Sequence, residues 1–120
     1  MSGSLKVEFY RKEDGTSPVE EFLLSLDATQ RAKTVWTIEA LQLHGWKLRE
    51  PYSKQLEDGI FELRAQVNSG NTRVLYFFIS GNSAVLTNGF IKKTQKTPRS
   101  EIKLAIKYRA DYERREEQQQ

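Results

Sequence analysis

The residue types that could do chemistry in this chain are concentrated between Lys92 and Arg109. This stretch holds seven cations and one anion, Glu101, so its local charge is +6, whereas the whole chain carries +3. The cations are Lys92, Lys93, Lys96, Arg99, Lys103, Lys107 and Arg109. A positive field gathered on one loop and one helix suits a polyanion better than a small neutral ligand. We therefore expect a functional basic site here rather than a solvated helix face.

Such a surface is compatible with three activities. In RNA cleavage, a ribose 2′-hydroxyl attacks the adjacent phosphate, and a lysine among other cations can act as base because positive neighbours favour its neutral form. Arginine would bind the phosphate through two guanidinium donors, and Phe90 could stack a splayed base. Binding of nucleic acid or of an acidic protein needs no chemistry, and a solvated charged face needs no ligand. From residue types alone, binding ranks ahead of catalysis.

Composition excludes several kinds of site. The chain has no cysteine and one histidine, His44, which excludes disulfides, thiolate metal sites and histidine-rich metal sites. We therefore expect no metal and no cofactor. No run of about 18 apolar residues is present, and the first residues, MSGSLKVEF, lack the apolar stretch of a secretory signal. We expect a cytoplasmic protein without membrane contact.

Hydrophobic periodicity and cap signals predict the elements that precede the basic stretch. Alternation over Leu5–Tyr10 predicts a half-buried strand. The segment Ser17–Glu20 has the proline and capping pattern of a helix start, and Asp27–Gln30 begins a second helix that should end near His44. We expect these helices to form a hairpin on one face of a sheet. Their expected buried residues are Val19, Phe22, Leu23 and Leu26 in the first helix and Ala32, Val35, Trp36, Ala40 and Leu43 in the second.

Three β-rich segments and a final helix follow. Turn-type residues separate Ile60–Val67, Thr72–Ile79 and Ala84–Lys92, which predicts two hairpins. The Thr97-Pro98 pair predicts a helix start, and that helix should run to about Arg114. We therefore predict an α+β domain over residues 5–114, with an antiparallel four-stranded sheet, the N-terminal helical hairpin on one face and the C-terminal helix at the other. Residues 1–4 are expected to be an expression-vector remnant or a disordered start, and residues 115–120 a frayed tail.

The hairpin registers determine which side chains share a face. With the first tip at Ser69-Gly70, Gln66 pairs with Arg73, and with the second tip at Gly81-Asn82, Arg73 lies opposite Phe90. The face toward the helical hairpin then carries Phe61, Leu63, Ala65, Val67, Val74, Tyr76 and Phe78. One end of the opposite face carries Arg64, Arg73, Asn88, Phe90 and Lys92. Its other end carries Leu75, Phe77, Ile79 and Leu86, and needs cover from Ile102, Ala105, Ile106 and Tyr112.

Three motifs resemble the RelE/ParE superfamily of bacterial toxins, and within it the phage-associated HigB-like branch. They are FELR (Phe61–Arg64), RVLYFF (Arg73–Phe78) and NGFIKKTQKTP (Asn88–Pro98), of which the last is the most specific. The element order of strand, two helices, three strands and helix is similar as well. The resemblance extends from Lys6 to about Tyr112 and implies a RelE-like fold.

The same resemblance implies the toxin of a type II toxin–antitoxin pair. Such a toxin is a metal-independent endoribonuclease that enters the ribosomal A site, cuts mRNA and so inhibits translation. The implied partners are the ribosome, mRNA and a cognate antitoxin, often of helix-turn-helix type, which neutralises the toxin. Two alternatives are a ParE-like gyrase-directed toxin without nuclease activity and a non-enzymatic module that binds RNA or protein.

The resemblance also assigns residues. Arg64 matches the arginine of the ELR motif, Arg73 matches the arginine that contacts phosphate in relatives, and the lysines after Ile91 match the basic loop. We expect the catalytic residues to be Arg64, Arg73, Lys93 and Lys96. We expect the RNA-binding residues to be Lys54, Asn88, Phe90, Lys92, Arg99 and Lys103. Tyr108 and Tyr112 match no motif position, so the identity of the general acid and of the general base stays open.

Overall fold

A computed structural model describes residues 4–119 of the chain as a five-stranded sheet with three α-helices. The predicted vector remnant at residues 1–4 lies outside the described residues except for Ser4, and so does Gln120. No helix within residues 4–119 is both long and apolar enough to cross a membrane. The elements are β1 (Lys6–Phe9), α1 (Pro18–Ser25), α2 (Ala28–His44), a 3₁₀ turn (Gly45–Lys47), β2 (Ser53–Gln55), β3 (Phe61–Ala65), β4 (Thr72–Ile79), β5 (Ser83–Ile91) and α3 (Arg99–Gln118).

The sheet has the strand order β1-β5-β4-β3-β2 and is mixed. Strand β1 runs parallel to β5, and the other neighbouring pairs are antiparallel. The predicted α+β class is confirmed, whereas the predicted four-stranded antiparallel sheet is wrong. The additional strand is β2, which sequence analysis treated as part of a connector because three residues, Ser53–Gln55, are too few to show alternation.

The register between β3 and β4 differs from the prediction by two residues. Arg64, not Gln66, lies opposite Arg73, and Leu63 lies opposite Val74. Side chains alternate with a period of two along a strand, so a shift of two residues preserves the faces. The predicted faces of both strands are therefore correct although the predicted pairs are not.

A β-bulge interrupts the pairing of β4 with β5. Arg73 lies opposite Phe90 as predicted, but beyond Leu75 the register shifts and Thr87 has no partner residue on β4. The hydroxyl of Thr87 donates to the Leu75 carbonyl at 3.1 Å. The extra residue reverses the faces of the remaining strand. Leu86 consequently packs in the core beneath α1 and α2, and its predicted place beneath α3 is wrong.

The two N-terminal helices begin with the predicted caps. Ser17 Oγ accepts from the Glu20 backbone N–H at 3.1 Å. Asp27 and Gln30 exchange reciprocal hydrogen bonds, because Asp27 Oδ1 accepts from the Gln30 N–H at 2.7 Å and Gln30 Oε1 accepts from the Asp27 N–H at 3.1 Å. Helix α1 packs mainly on β5 and α2 mainly on β3. Each helix of the predicted hairpin is therefore held chiefly by the sheet rather than by its neighbour.

The face that helix α2 buries overlaps the predicted one only in part, since Ala40 packs against the core as predicted. Its buried residues are Gln30, Thr34, Thr37, Ile38 and Leu41. Trp36 and Leu43, predicted to face the core, are 45% and 66% exposed. The buried hydroxyls are satisfied locally: Thr34 Oγ1 lies 2.6 Å from Thr72 Oγ1 and also donates to the Gln30 carbonyl. Because polar residues occupy the inner face, apolar spacing indicates the wrong side of this helix.

Two apolar cores lie on opposite faces of the sheet. The core beneath α1 and α2 contains Leu5, Val19, Ile38, Leu41, Leu48, Leu63, Val74, Tyr76, Ala84 and Leu86. The core beneath α3 contains Tyr10, Ile60, Leu75, Phe77, Val85 and Ala105. Ile106 and Tyr112 pack against this second core, so α3 provides the predicted cover.

Helix α3 continues to Gln118, beyond its predicted end near Arg114. The guanidinium of Arg115 donates to the Asp111 carboxylate and to the Arg11 carbonyl. Asp111 also accepts from the Tyr10 hydroxyl at 2.6 Å. The last helical turns are therefore tied to the segment that follows β1, and the predicted frayed tail is helical through Gln118.

Candidate functional site

Helix α3 covers only one end of its sheet face, and an open groove of about 500 Å³ remains at the other end. We call it the basic groove. Its walls are β2, β3, the loop 92–98 that joins β5 to α3, and the first turn of α3. The basic groove is lined by Lys54, Gln55, Leu56, Glu57, Glu62, Arg64, Lys92, Gln95, Lys96, Thr97, Arg99 and Ile102.

The floor of the basic groove contains a buried carboxylate, that of Glu62, which is 2% exposed. Glu62 Oε1 accepts from the Thr97 hydroxyl at 2.7 Å and lies 3.7 Å from Arg73 Nε, while Oε2 lies 3.6 Å from Arg64 Nε. Thr97 was predicted to cap α3, but α3 has no side-chain cap. Sequence analysis did not select Glu62, although it lies within the FELR motif between Phe61 and Arg64.

Arg73 lies beneath the basic groove rather than in its wall. Its side chain is 4% exposed, Nη1 donates to the Thr72 carbonyl at 2.9 Å, and Nε has no hydrogen-bond partner. Burial lowers the pKa of Arg73, and the negative charge of Glu62 opposes that change. The predicted position of Arg73 on this sheet face is correct; the side chain is buried there, and its predicted contact with phosphate stays a prediction.

The environment of Lys92 lowers the pKa of its amine. Partial burial lowers its pKa most, and the positive charge of Arg73 lowers it further, whereas Glu62 opposes the decrease. Arg64 adds a further lowering effect. Lys93, expected to be catalytic, is exposed and is not among the residues that line the basic groove. Lys92, predicted only to bind RNA, is therefore the better candidate for proton transfer.

Exposed cations stand around the rim of the basic groove. Lys54 projects from β2, and Lys96 belongs to the loop 92–98. Arg99, the first residue of α3, forms an ion pair with Glu57. The hydroxyl of Thr94 donates to the Lys96 carbonyl at 2.7 Å and so supports the loop. The predicted site residues that the structure brings together here are Lys54, Arg64, Lys92, Lys96 and Arg99.

Other predicted RNA-binding residues lie outside the basic groove. Asn88 is buried, and its Nδ2 donates to the Glu101 carboxylate at 2.9 Å and to the Glu101 carbonyl at 3.3 Å. Phe90 packs against the core beneath α3. Lys103 is exposed on α3 but does not line the groove. Asn88 therefore anchors α3 to β5, and Phe90 is partly buried against the core, so its predicted role in base stacking stays a prediction.

Histidine and tyrosine are absent from the lining of the basic groove within the described part of the chain. His44 lines a separate groove beside α2. Tyr108 stacks on Tyr10 with ring centroids 4.6 Å apart, and the Tyr112 hydroxyl donates to Glu8 at 3.0 Å. The titratable groups that line the basic groove are therefore lysines, arginines and carboxylates.

The groove beside α2 differs in character from the basic groove. It encloses about 420 Å³, and its exposed aromatics are Trp36 and Tyr52, whose rings meet edge to face at 5.2 Å. Lys33 Nζ lies 5.5 Å from the Trp36 ring centroid. Both charge signs occur around it, since Glu39 and Lys47 are among its lining residues. Its exposed aromatic and aliphatic side chains offer an apolar contact surface.

Comparison with protein families places the chain among phage-derived proteins. Residues 21–110 match the family model described as phage derived protein Gp49-like (DUF891), and this span contains every residue that lines the basic groove. A search of curated proteins found no match. The Gp49-like family is RelE-like and is related to the toxins of toxin–antitoxin systems. Because the match covers most of the chain, the protein belongs to the Gp49-like family of phage-derived proteins.

Proposed function

We propose that this protein is the toxin of a type II toxin–antitoxin pair, of the HigB-like branch, and that it cleaves mRNA on the ribosome. The observation that carries the proposal is the basic groove, whose lining at the open end of the sheet face includes both Arg64 and Lys92. Membership in a toxin-like family supports the same assignment. The proposed partners are the ribosome, mRNA and a cognate antitoxin of helix-turn-helix type, all in the cytoplasm.

In the proposed reaction, a ribose 2′-oxygen attacks the adjacent phosphorus, so that a P–O2′ bond forms while the P–O5′ bond breaks. The neutral amine of Lys92 takes the proton of the 2′-hydroxyl. A protonated lysine of the groove, Lys54 or Lys96, gives a proton to the leaving 5′-oxygen. The products are a 2′,3′-cyclic phosphate and a 5′-hydroxyl. No metal takes part in this proposed scheme.

Arg64 is the residue proposed to stabilise the phosphate. Its side chain is 22% exposed at the groove, and its planar guanidinium presents several N–H donors to phosphate oxygens. Those oxygens gain negative charge in the transition state, so the contact strengthens as the reaction proceeds. The rim cations Lys96 and Arg99 would contact neighbouring phosphates, which predicts that binding weakens as salt concentration rises.

Cleavage of mRNA on programmed ribosomes tests the proposal. The purified protein is expected to cut ribosome-bound mRNA, leaving 2′,3′-cyclic phosphate ends, in buffer containing EDTA at a concentration that leaves the ribosomes intact. Lys92→Met should abolish most of this cleavage, while Lys93→Met, the matched neighbour outside the groove, should cleave at the parental rate. Absence of cleavage by the folded parent at saturating ribosome concentration would contradict the nuclease assignment.

Induced expression in bacteria separates the proposal from the two alternatives. A ribosome-dependent nuclease should arrest translation before DNA synthesis. Failure of supercoiling or replication first would indicate a gyrase-directed toxin. Normal growth with folded protein present would indicate a binding module, because a module without chemistry has no reason to stop growth.

A further inference from the structure

The carboxylate of Glu62 contacts three separate parts of the basic groove. Its two oxygens lie 3.6 Å from Arg64 Nε on β3 and 3.7 Å from Arg73 Nε on β4. The same carboxylate accepts a hydrogen bond of 2.7 Å from Thr97 in the loop 92–98. Glu62 therefore links both arginines of the site to the loop that carries the lysines.

Burial makes this arrangement sensitive to any change in charge. Glu62 is 2% exposed, and removing a carboxylate from water is unfavourable unless cations and hydrogen-bond donors surround it. Arg73 supplies a buried positive charge on one side, and Arg64 supplies a partly exposed charge on the other. Because the oxygens of Glu62 are already directed to Arg64, Arg73 and Thr97 on the floor of the groove, Glu62 is not placed to contact a phosphate or to take a proton from a ribose. Its influence must act through the residues that it touches.

We propose that Glu62 is a positioning residue that holds the Arg64 guanidinium and the loop 92–98 in the geometry needed for cleavage. The inference rests on the proposed ribonuclease function. Under this proposal, Glu62 does not react itself but determines the relative positions of the Arg64 guanidinium and the Lys92 amine. In this view, Arg73 serves as the buried counter-charge of Glu62 rather than as a ligand of the RNA.

The environment of Lys92 gives the proposal a second consequence. The charged groups that act on Lys92 are Arg73 from β4, Glu62 and Arg64 from β3 and Lys54 from β2, and Glu62 alone among them favours its protonated form. Lys96 from the loop, Arg99 from α3 and Glu57 from the segment between β2 and β3 line the same groove. Loss of the Glu62 charge should therefore lower the pKa of Lys92 further.

Glu62→Gln tests the positioning role because glutamine keeps the shape and an oxygen acceptor for Thr97. We expect kcat for mRNA cleavage to fall about a hundredfold because the reacting groups are misplaced, with little change in KM. The ascending limb of the pH–rate profile, which follows deprotonation of Lys92, should move to lower pH. Glu50→Gln is the matched control, since Glu50 lies 3.9 Å from Arg64 Nη1 but is 65% exposed. It should change neither kcat nor the profile.

Thr97→Val provides a second variant if Glu62→Gln does not fold. Valine removes the donor to Glu62 and preserves the size of the side chain, so the loop loses its anchor while the carboxylate charge remains. The expected result is a lower kcat with the ascending limb at its original pH. Parental kcat in folded Glu62→Gln and in Thr97→Val would overturn the proposal, as would a slower Glu62→Gln variant whose pH profile has not moved.

A measurement without RNA distinguishes failure of this inference from failure of the proposed function. In NMR spectra of the protein labelled with ¹⁵N-arginine, the Nε–Hε signals of Arg64 and Arg73 should shift in Glu62→Gln and stay in place in Glu50→Gln. If the parent does not cleave mRNA but these shifts occur, the nuclease assignment fails and the positioning of the arginines by Glu62 stands. If the two signals are unchanged in folded Glu62→Gln, the positioning role is wrong whatever the activity.

Discussion

The two ends of the sheet face beneath α3 are built from the same strands but differ completely in character. Along β4, Arg73, Leu75 and Phe77 point to this face in succession. Leu75 and Phe77 lie in the apolar core that α3 covers, whereas Arg73, one position away on the face, lies beside the Glu62 carboxylate. The strand pattern thus determines which face a side chain occupies, and the path of α3 determines whether that position becomes core or groove.

This difference shows how a small domain can keep charges next to its core. At the covered end, burial of apolar side chains stabilises the fold. At the open end, a buried carboxylate is stabilised by cations and by one hydroxyl, and the cations nearer the surface remain available to a ligand. The ion pair at the open end is therefore the part whose disruption should affect folding and activity together.

The largest expected effect on stability comes from breaking the buried pair at the open end. Arg73→Ala would leave Glu62 buried without its nearest buried counter-charge, so the free energy of unfolding should fall by about 3–5 kcal/mol. Urea denaturation measures this change. Arg99→Ala is the control, because Arg99 is an exposed cation paired with Glu57, and it should cost at most about 1 kcal/mol. An unchanged midpoint for Arg73→Ala would mean that the open end tolerates an unpaired carboxylate.

At the covered end, truncation of the core should cost slightly less. Leu75 is fully buried, so Leu75→Ala should lower the free energy of unfolding by about 2–5 kcal/mol through lost apolar burial and the cavity left behind. Urea denaturation measures this change as well, and Leu24→Ala, at an exposed position, is the control. Equal midpoints for the two leucine variants would be incompatible with a packed core beneath α3.

Activity should depend on the open end alone. Lys92→Met should lower the rate of cleavage at saturating ribosome concentration about a hundredfold, while the unfolding midpoint stays near that of the parent. Single-turnover cleavage and urea denaturation of the same preparation measure both quantities. Leu75→Ala, assayed at a temperature where it is folded, is the comparison variant and should cleave at nearly the parental rate. A Lys92→Met protein that cuts at the parental rate would exclude Lys92 as the base.

The covered end should respond to alkaline pH. Burial, followed by the hydrogen bond to Asp111, raises the pKa of Tyr10 to about 12. A raised pKa means that the folded state favours neutral tyrosine, so this stabilisation is complete below the ordinary pKa of 10 and is lost as pH rises from 10 toward 12. The urea midpoint of unfolding should fall as pH rises from 10 toward 12, and it should fall less steeply in Tyr10→Phe. At pH 7, Tyr10→Phe should cost about 1.5 kcal/mol, the loss of one hydrogen bond to a charged group.

The smallest effects are expected on the outer surface of α3. Lys103→Ala and Lys107→Ala remove exposed cations away from both ends, so each should shift the free energy of unfolding by less than about 0.5 kcal/mol. Both should weaken RNA binding modestly, more so at low salt, without changing the rate of the bound complex. A large loss of cleavage at saturating ribosome concentration in either variant would extend the functional surface onto α3.

The sequence predicted the faces of the central strands better than it predicted burial. Alternation placed Arg64, Arg73 and Lys92 on one face, and the register error of two residues did not matter because it preserves that face. Alternation could not show that Arg73 is buried, because burial depends on how neighbouring elements pack around a face, as Glu62 on β3 does beside Arg73. The buried Glu62 was missed for the same reason.

Two further errors have local causes. Thr87 lies in a continuous β-rich run, and no residue pattern there indicates the bulge that moves Leu86 to the other core. In α2, Thr34 faces inward because its hydroxyl finds partners on β4 and on the preceding helical turn, whereas Trp36 spans a partly exposed surface. The spacing of apolar residues takes no account of hydrogen-bond partners for a buried hydroxyl, so it indicated the outer side of the helix.

The contact between Tyr10 and Asp111 also bears on when the protein acquires its shape during synthesis. The two residues are 101 positions apart, and α3 leaves the ribosome only after all five strands have been made. Until then, the core beneath α3 has no cover, and the wall of the basic groove that contains Arg99 and Ile102 does not exist. A contact of such long sequence separation forms late and slowly. The nascent chain therefore exposes an apolar sheet face before it possesses a complete groove, which makes the arrival of α3 the step that both protects the protein from aggregation and completes its site.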